Sequence, residues 1–296
     1  MAGEAKRILI VTHKKPDGDA IGSSLALRLV LKHLGQEATV AIVDGAPESY
    51  SYLPQFFKIA DGFRPQDFDM AVIIDCGGWK RTGFFEDDEL NIDWPNHLAV
   101  VDHHAVQKLT PGLHIVDPQM CSSAQLIFYV AEEWGAPLTQ ELATCLMTGL
   151  STDTGSFKHS NTTAEVFRIA ARLMEAGASL NKITQNIYLG RSVPALRLWG
   201  RTLNKIKEDR ELGMIFSVIT KKDLDECGAN LEDLEGVIDL MNSVPGTSAT
   251  MLLSERGGEV KGSLRTNRDD VDVSKLAAIF GGGGHIQAAG FSVKKD

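Results

Sequence analysis

Three short apolar runs set the strongest constraint on how this chain can fold, because each stops abruptly before acidic or imidazole groups. Ile8-Leu9-Ile10-Val11 leads through Thr12 to His13, Asp17 and Asp19; Met70-Ala71-Val72-Ile73-Ile74 stops at Asp75; Leu98-Ala99-Val100-Val101 stops at Asp102-His103-His104. Runs of this length and composition read as strands buried on both faces. The first is followed over 20–34 by apolar residues at helical spacing, among them Ile21, Leu25, Leu31 and Leu34. A further apolar run at 38–43 reads as a strand, and helical patterns cover 122–134 and 138–150. Strands alternating with helices predict an α/β fold: a mostly parallel sheet with helices on both faces, whose strand C-termini share one edge. The second helical pattern runs into Ser151-Thr152-Asp153-Thr154-Gly155-Ser156-Phe157, which adds Asp153 to the groups able to converge there.

The stretch His13-Lys14-Lys15-Pro16-Asp17-Gly18-Asp19 gathers one imidazole and two carboxylates within seven residues. Hard divalent cations favour such ligands. Gly18 lets the backbone turn, so the two carboxylates can diverge toward two different ions. The plain alternative is a Pro-Asp-Gly turn with Asp19 as the N-cap of the next helix. A single acid at a strand end is ordinarily a solvated loop residue. Four segments that share the behaviour, two of them with His beside Asp, carry the site reading.

At 296 residues the chain has room for about two domains. Its net charge of −9 argues against a protein that coats long DNA or RNA, which needs many Lys and Arg contacts to phosphate, and leaves room for a small phosphorylated substrate. No secretory leader pattern and no apolar stretch of membrane-spanning length is present. Cys76, Cys121, Cys145 and Cys227 form no CxxC pair and are expected to be reduced thiols in a cytoplasmic protein.

Helical patterns continue over 162–176 and 179–189. The segment 192–208 reads as a linking helix, capped by Ser192, with Pro194 in its first turn and a stripe of Leu196, Trp199, Leu203 and Ile206. The expected organisation is a metal-binding domain over 1–190, a linker helix over 191–210 and a smaller α/β domain with a mixed sheet over 211–296. Within the last, strands are expected at 214–219, 248–253 and 259–265 and helices at 231–241 and 273–280. The run Gly281-Gly282-Gly283-Gly284-His285 breaks every regular pattern. Four glycines are costly in backbone entropy, and their N–H groups could form an anion-binding nest with His285 as an added donor. A flexible linker is the alternative.

The combination H-x-x-P-D-G-D-A-I-G-S, a strand ending in Asp, V-D-H-H and T-D-T-G-S-F resembles the DHH phosphoesterase superfamily over roughly residues 8–157. That superfamily includes RecJ-like exonucleases and manganese-dependent inorganic pyrophosphatases. The glycine run, with Ser-Leu-Arg-Thr-Asn at 263–267, is similar to the DHH-associated C-terminal domain. The resemblance implies two divalent metal ions, most simply Mn2+. It assigns His13, Asp17 and Asp75 to one ion and Asp19, Asp75, His103 and Asp153 to the other, with Asp75 bridging. It also implies that Asp102 orients an imidazole and that His104 contacts the substrate phosphate; a helix-capping pair at the strand exit is the alternative for these two. Arg265, Gly282, Gly283, Gly284 and His285 are then the substrate-binding residues of the second domain.

The subgroup that looks closest is the nano-RNase and phosphoadenosine-phosphate phosphatase type. Its expected activity is hydrolysis of short oligonucleotides to mononucleotides, or of phosphoadenosine phosphate to AMP and phosphate. The superfamily's pyrophosphatases carry an S-R-K-K-Q-like motif that is missing here, and RecJ proper is larger. A phosphodiesterase for cyclic or linear dinucleotides of the pApA type stays open, and more distantly a nucleotide-binding sensor without turnover, although an intact ligand set argues against a sensor. Expected partners are short single-stranded oligonucleotides or nucleotide bisphosphates, with no long duplex and no membrane; a homodimer is left open.

Overall fold

A computed structural model describes residues 7–84, 97–104, 112–189 and 191–294. The chain divides into two compact units, 1–190 and 191–296.

In the first unit the elements run β1 (Arg7–Val11), α1 (Gly18–His33), β2 (Glu37–Ala41), β3 (Met70–Ile74), β4 (His97–Asp102), β5 (Leu113–Val116), α2 (Ser123–Glu133), α3 (Gln140–Asp153), α4 (Ala164–Glu175) and α5 (Leu180–Thr184). The sheet order is β2-β1-β3-β4-β5 and every pairing is parallel. The order reverses between β1 and β3, and it is beside such a switch point that open α/β sheets bind ligands. Register keeps the exits of the central strands level, with Val11 opposite Ile73 and Ile74 opposite Val101. His13, Asp75 and Asp102 thus leave the sheet along one edge.

Alternation along the strands divides the core in two. Ile8, Ile10, Val72, Ile74, Ala99 and Val101 pack with residues of α1 to α4. Leu9, Val11, Ala71, Ile73, Leu98 and Val100 face the other way, under Phe63, Phe68, Trp79 and Phe84. Among the described residues, that second face is covered by loops and short 3-10 turns (Pro65–Asp67, Trp79–Thr82). Close packing of α1 on α3 depends on Gly22, where a Cβ would meet Cys145 O at 2.5 Å.

The start of α1 departs from the alternative in which Asp19 merely caps the helix. Asp17, not Asp19, is the N-cap, and its Oδ1 accepts the N–H groups of Asp19 and Ala20 at 3.0 Å each. Asp19 is thereby placed in the first helical turn with its side chain turned inward, and it is fully buried. The edge strand β5 had no sequence signal of its own, because His114 interrupts a four-residue run.

The second unit runs α6 (Val193–Asn204), β6 (Lys207–Asp209), β7 (Met214–Ile219), α7 (Lys221–Cys227), α8 (Val237–Met241), β8 (Ala249–Arg256), β9 (Glu259–Arg265), α9 (Val273–Ile279), β10 (Gly283–Gly284) and β11 (Ala288–Lys294). Its sheet, in the order β10-β11-β9-β8-β7-β6, is mixed: β7 and β8 are parallel and the other pairs antiparallel. Ser192 caps α6 by accepting from Ala195 N at 3.1 Å. Leu198 is buried among Ile219, Leu224, Val237, Ile238 and Leu252, so this helix is part of the second unit's core, where the sequence suggested a linker. The single helix expected over 231–241 is a 3-10 turn (Leu231–Leu234) followed by α8, separated at Glu235, with ψ 132°, and Gly236, with φ +79°. No helix among the described residues is long and apolar enough to cross a membrane.

Candidate metal centre

Each strand exit at the switch point contributes a differently anchored side chain. His13 donates from Nδ1 to Lys14 O at 3.0 Å, which leaves Nε2 facing Asp17 Oδ2 and Asp75 Oδ2, both at 4.0 Å. With Oδ1 of Asp17 engaged in capping α1, its Oδ2 is the oxygen turned toward His13. Asp75 has φ +52°, a left-handed backbone unusual for a residue with a side chain and characteristic of functional sites. Its Oδ1 accepts from Ser123 Oγ at 3.0 Å and lies 3.5 Å from both His103 Nε2 and His104 Nδ1.

Asp19 is held by the beginning of α2, where Oδ2 and Oδ1 accept the N–H groups of Ser123 at 2.6 Å and Ala124 at 2.9 Å. A helix N-terminus is suited to this, since its first N–H groups lack partners within the helix and carry partial positive charge. His103 repeats the His13 arrangement. Its Nδ1 donates to Met120 O at 3.4 Å, and Nε2 lies 3.0 Å from Asp153 Oδ2 at the end of α3. The alignment at Nε2 is not that of a hydrogen bond, so this buried nitrogen has no hydrogen-bond partner.

Among the described residues three groups of three donors result, each with its ligand atoms within 4.8 Å of one another: His13, Asp17 and Asp75; Asp19, His103 and Asp153; and Asp75, His103 and His104. The first contains the residues the sequence assigned to one ion. The second contains those assigned to the other, apart from Asp75. Electrostatics follow the same geometry. Burial, then Asp17 and Asp153, push Asp75 up to about 7 despite His103 and His104. Burial, then Asp75, Asp153 and Asp17, push Asp19 well above the carboxylate range. Burial also raises Asp153. Burial would lower His103, yet Asp153 and Asp75 hold it up at about 9. A proton on His103 is the smallest cation this cluster can hold. Crowded carboxylates and two imidazoles that each direct Nε2 inward fit a divalent ion in its place.

Asp102 stands apart from this set. Oδ2 accepts the N–H groups of Cys76 at 3.0 Å and Gly77 at 2.5 Å, and Oδ1 accepts the N–H and Nδ1 of His104 at 2.8 Å each. Burial would raise its pKa, but these bonds from His104 and Gly77 hold it below the ordinary value. The imidazole that Asp102 orients is that of His104, and its carboxylate also fixes the turn after Asp75.

Two anchors were missed in the sequence, Ser123 and the N–H of Ala124. Their only signal was Cys121-Ser122-Ser123 ahead of a helix, where Ser122 proves to be the N-cap.

The other expected site residues lie in the second unit. Arg265 pairs through Nε with Asp239 Oδ1 at 3.0 Å and through Nη1 with Leu264 O at 3.0 Å. The glycine run is neither linker nor open nest. Gly281 and Gly282 donate to Ala278 O and Ala277 O to close α9, while Gly283 and Gly284 pair with Gly290 and Ala289 as β10. His285 and Ala288 exchange backbone hydrogen bonds in the turn between β10 and β11. Gly282 through His285 therefore supply the end of a helix and a hairpin, and most of the N–H groups the nest required are committed to them.

Residues 7–150 match the DHH family, N-terminal domain, and residues 213–296 the DHHA1 domain. The bifunctional oligoribonuclease and PAP phosphatase NrnA of Thermus thermophilus is 33% identical over 288 residues, spanning 97% of this chain and 84% of that protein. An exopolyphosphatase-related protein from Bacteroides fragilis, of known crystal structure, is similar over 100% of this chain and 89% of its own, with a TM-score of 0.91 and 27% identity. RecJ from Thermus thermophilus, crystallised in complex with Mn2+, shares the fold at a TM-score of 0.55 and 16% identity, over 98% of this chain and 50% of that one. With strand exits, donor groups and relatives in agreement, the chain belongs to the DHH family, as a DHH domain followed by a DHHA1 domain.

Proposed function

We propose that the protein is a metal-dependent phosphoesterase that hydrolyses short oligonucleotides to mononucleotides and phosphoadenosine phosphate to AMP and phosphate. The observation that carries the reading is the placement of Asp75, whose Oδ2 faces His13 and whose Oδ1 faces His103 and His104. One carboxylate thereby joins two donor groups. In this reading His13, Asp17 and Asp75 hold one divalent ion, and Asp19, His103 and Asp153 hold a second that shares Asp75. Such ions supply Lewis acidity toward a phosphoryl group and lower the pKa of water. Mixed imidazole and carboxylate donors suit manganese, the metal named for the RecJ structure.

The chain's own residues do the positioning. Ser123 and the start of α2 fix Asp75 and Asp19, and Asp102 holds the imidazole of His104 through Nδ1, the residue this reading places against the substrate phosphate. Arg265 and His285 are the second unit's candidates for binding substrate phosphate, Arg265 by exchanging Asp239 for phosphate. The net charge of −9 favours short single strands over long duplex. Four free, buried cysteines support a cytoplasmic setting.

A turnover assay tests the proposal, with Mn2+ and with EDTA, on pApA, phosphoadenosine phosphate, cyclic di-AMP and pyrophosphate. Metal-dependent turnover of the first two, well above that of pyrophosphate, is expected. Preference for cyclic di-AMP would move the assignment to cyclic dinucleotides, and no turnover of any phosphoester with any divalent metal would overturn it.

A further inference from the structure

Gly77, in the turn after Asp75, takes a left-handed backbone and has the Arg81 side chain close beside it. Its φ is +60°, and a Cβ there would lie 3.1 Å from Arg81 Nη1 and 3.9 Å from His104 Cβ. The Arg81 guanidinium therefore lies against the turn that follows Asp75, beside the residue that Asp102 orients. Its main chain is tied to the neighbouring strand exit: Arg81 O accepts the N–H of Lys14 at 2.7 Å, directly after His13. The Lys14 stem in turn packs on Gly83, where a Cβ would be 3.2 Å from Lys14 Cβ.

An arginine among acids ordinarily pairs with one of them. Here both oxygens of Asp102 and one oxygen of Asp75 have other partners, and Arg81 pairs with neither acid. Both oxygens of Asp102 accept from Cys76, Gly77 and His104, and Asp75 Oδ1 accepts from Ser123. Among the described residues the Arg81 side chain takes part in no ion pair and no hydrogen bond, and it is exposed. A permanently charged fork of donors thus lies beside the turn that follows Asp75, anchored by its main chain and with its donors unused.

We propose that Arg81 is a substrate-binding residue that grips non-bridging oxygens of the phosphate being cleaved, alongside His104. The proposal rests on the phosphoesterase reading above. A guanidinium matches two phosphate oxygens bidentately, which a lysine does not reproduce. The crowded carboxylates repel an anionic substrate, and a fixed positive charge at their edge offsets that repulsion. The sequence reading had placed arginine recognition of phosphate in the second unit alone, at Arg265.

The test compares Arg81→Ala, Arg81→Lys and Arg265→Ala on pApA and on bis(p-nitrophenyl) phosphate, with Mn2+ binding measured separately by calorimetry. Bis(p-nitrophenyl) phosphate carries a scissile phosphate and nothing else that an arginine could grip. Arg81→Ala should lower kcat/KM roughly ten- to a hundredfold on both substrates, leave Mn2+ stoichiometry and affinity unchanged, and be partly rescued by added guanidinium. Arg265→Ala should affect pApA alone. Arg81→Lys should keep the fold and recover only part of the loss. Wild-type turnover with Arg81→Ala within about twofold of it would overturn the role of Arg81 and leave the phosphoesterase reading standing. Loss of Mn2+ binding in a folded Arg81→Ala protein, or a loss that guanidinium does not relieve and Arg81→Lys fully repairs, would overturn it as well. No turnover by the wild type would instead remove the reading on which it rests.

Discussion

Asp75 in the first unit and Asp223 in the second are both buried carboxylates, and their surroundings could hardly differ more. Asp223 receives Lys205 Nζ at 2.6 Å on each oxygen, Arg201 at 3.4 Å on Oδ1, and the N–H and hydroxyl of Thr220 at 2.8 Å on Oδ2. It closes a capping box at the start of α7. Burial would raise its pKa, but Lys205 and Thr220 hold it far below the usual carboxylate range. Asp75 faces two other acids and imidazoles, and burial with Asp17 and Asp153 drives it to about 7. One carboxylate is neutralised by the chain itself and serves the fold. The other is left for a cation the chain does not supply. Asp102 shows that the first unit can satisfy an acid when the role is to orient.

Replacing Asp75 tests the contrast most severely. Asp75→Asn should reduce hydrolysis by well over the roughly hundredfold loss typical of an outer partner of a metal ligand, and should weaken Mn2+ binding. The metal-free variant should melt no lower than wild type, because one member of a mutually repelling set is gone. A clear drop in its melting temperature would assign Asp75 to the fold and erase the distinction.

The second expected effect is on pH dependence. Asp75 titrates at about 7 in the fold and His103 at about 9, each above its unfolded value near 4 and 6.5. Both groups bind more protons folded than unfolded, so their stabilising contribution is full at low pH and is lost as pH rises through those folded values. Asp102 and Asp223 act oppositely, since their depressed values give stability present above about pH 4 and lost below it. Urea midpoints of the metal-free first-unit transition should therefore decline from pH 6 to pH 9, by several kcal/mol in free energy, and Mn2+ should flatten the decline. A midpoint that climbed over this interval would contradict the assignment.

The smallest effect belongs to the second unit. Asp223→Asn should destabilise it by about 2 kcal/mol, combining lost charge-assisted hydrogen bonds with a weakened cap. Lys205 and Arg201 keep access to water, which limits the effect. Mn2+ affinity should not move; if it did, the separation between a folding acid and a metal-binding acid would blur.

Much of this was legible in the sequence for one reason. Buried parallel strands are nearly continuous apolar runs, so a polar residue that ends one stands out, and Asp75, Asp102 and His13 could be placed before any coordinates. What escaped notice had no side-chain signature. The N–H groups that hold Asp19 belong to the main chain of Ser123 and Ala124, and any sequence that starts a helix there would provide them. The glycine run misled in the other direction. Its composition suggested free N–H groups, whereas a Cβ at Gly282 or Gly284 would overlap β11, so close approach explains these two; Gly281 is explained by its φ of +71°, and nothing in the structure explains Gly283. Helix 231–241 was continuous in apolar spacing, and the backbone of Glu235, with ψ 132°, and the left-handed Gly236 divide it.

The clamp on Asp19 has a bearing on how this protein tolerates genetic change. Because both of its hydrogen bonds come from peptide groups, no ordinary codon change at positions 123 or 124 deletes a donor. Proline alone does so, by removing the N–H. Asp75 depends instead on a hydroxyl at Ser123, which a single substitution can erase. Two carboxylates of one centre thus differ in mutational robustness: one is guarded by helix geometry and the other by the identity of one side chain.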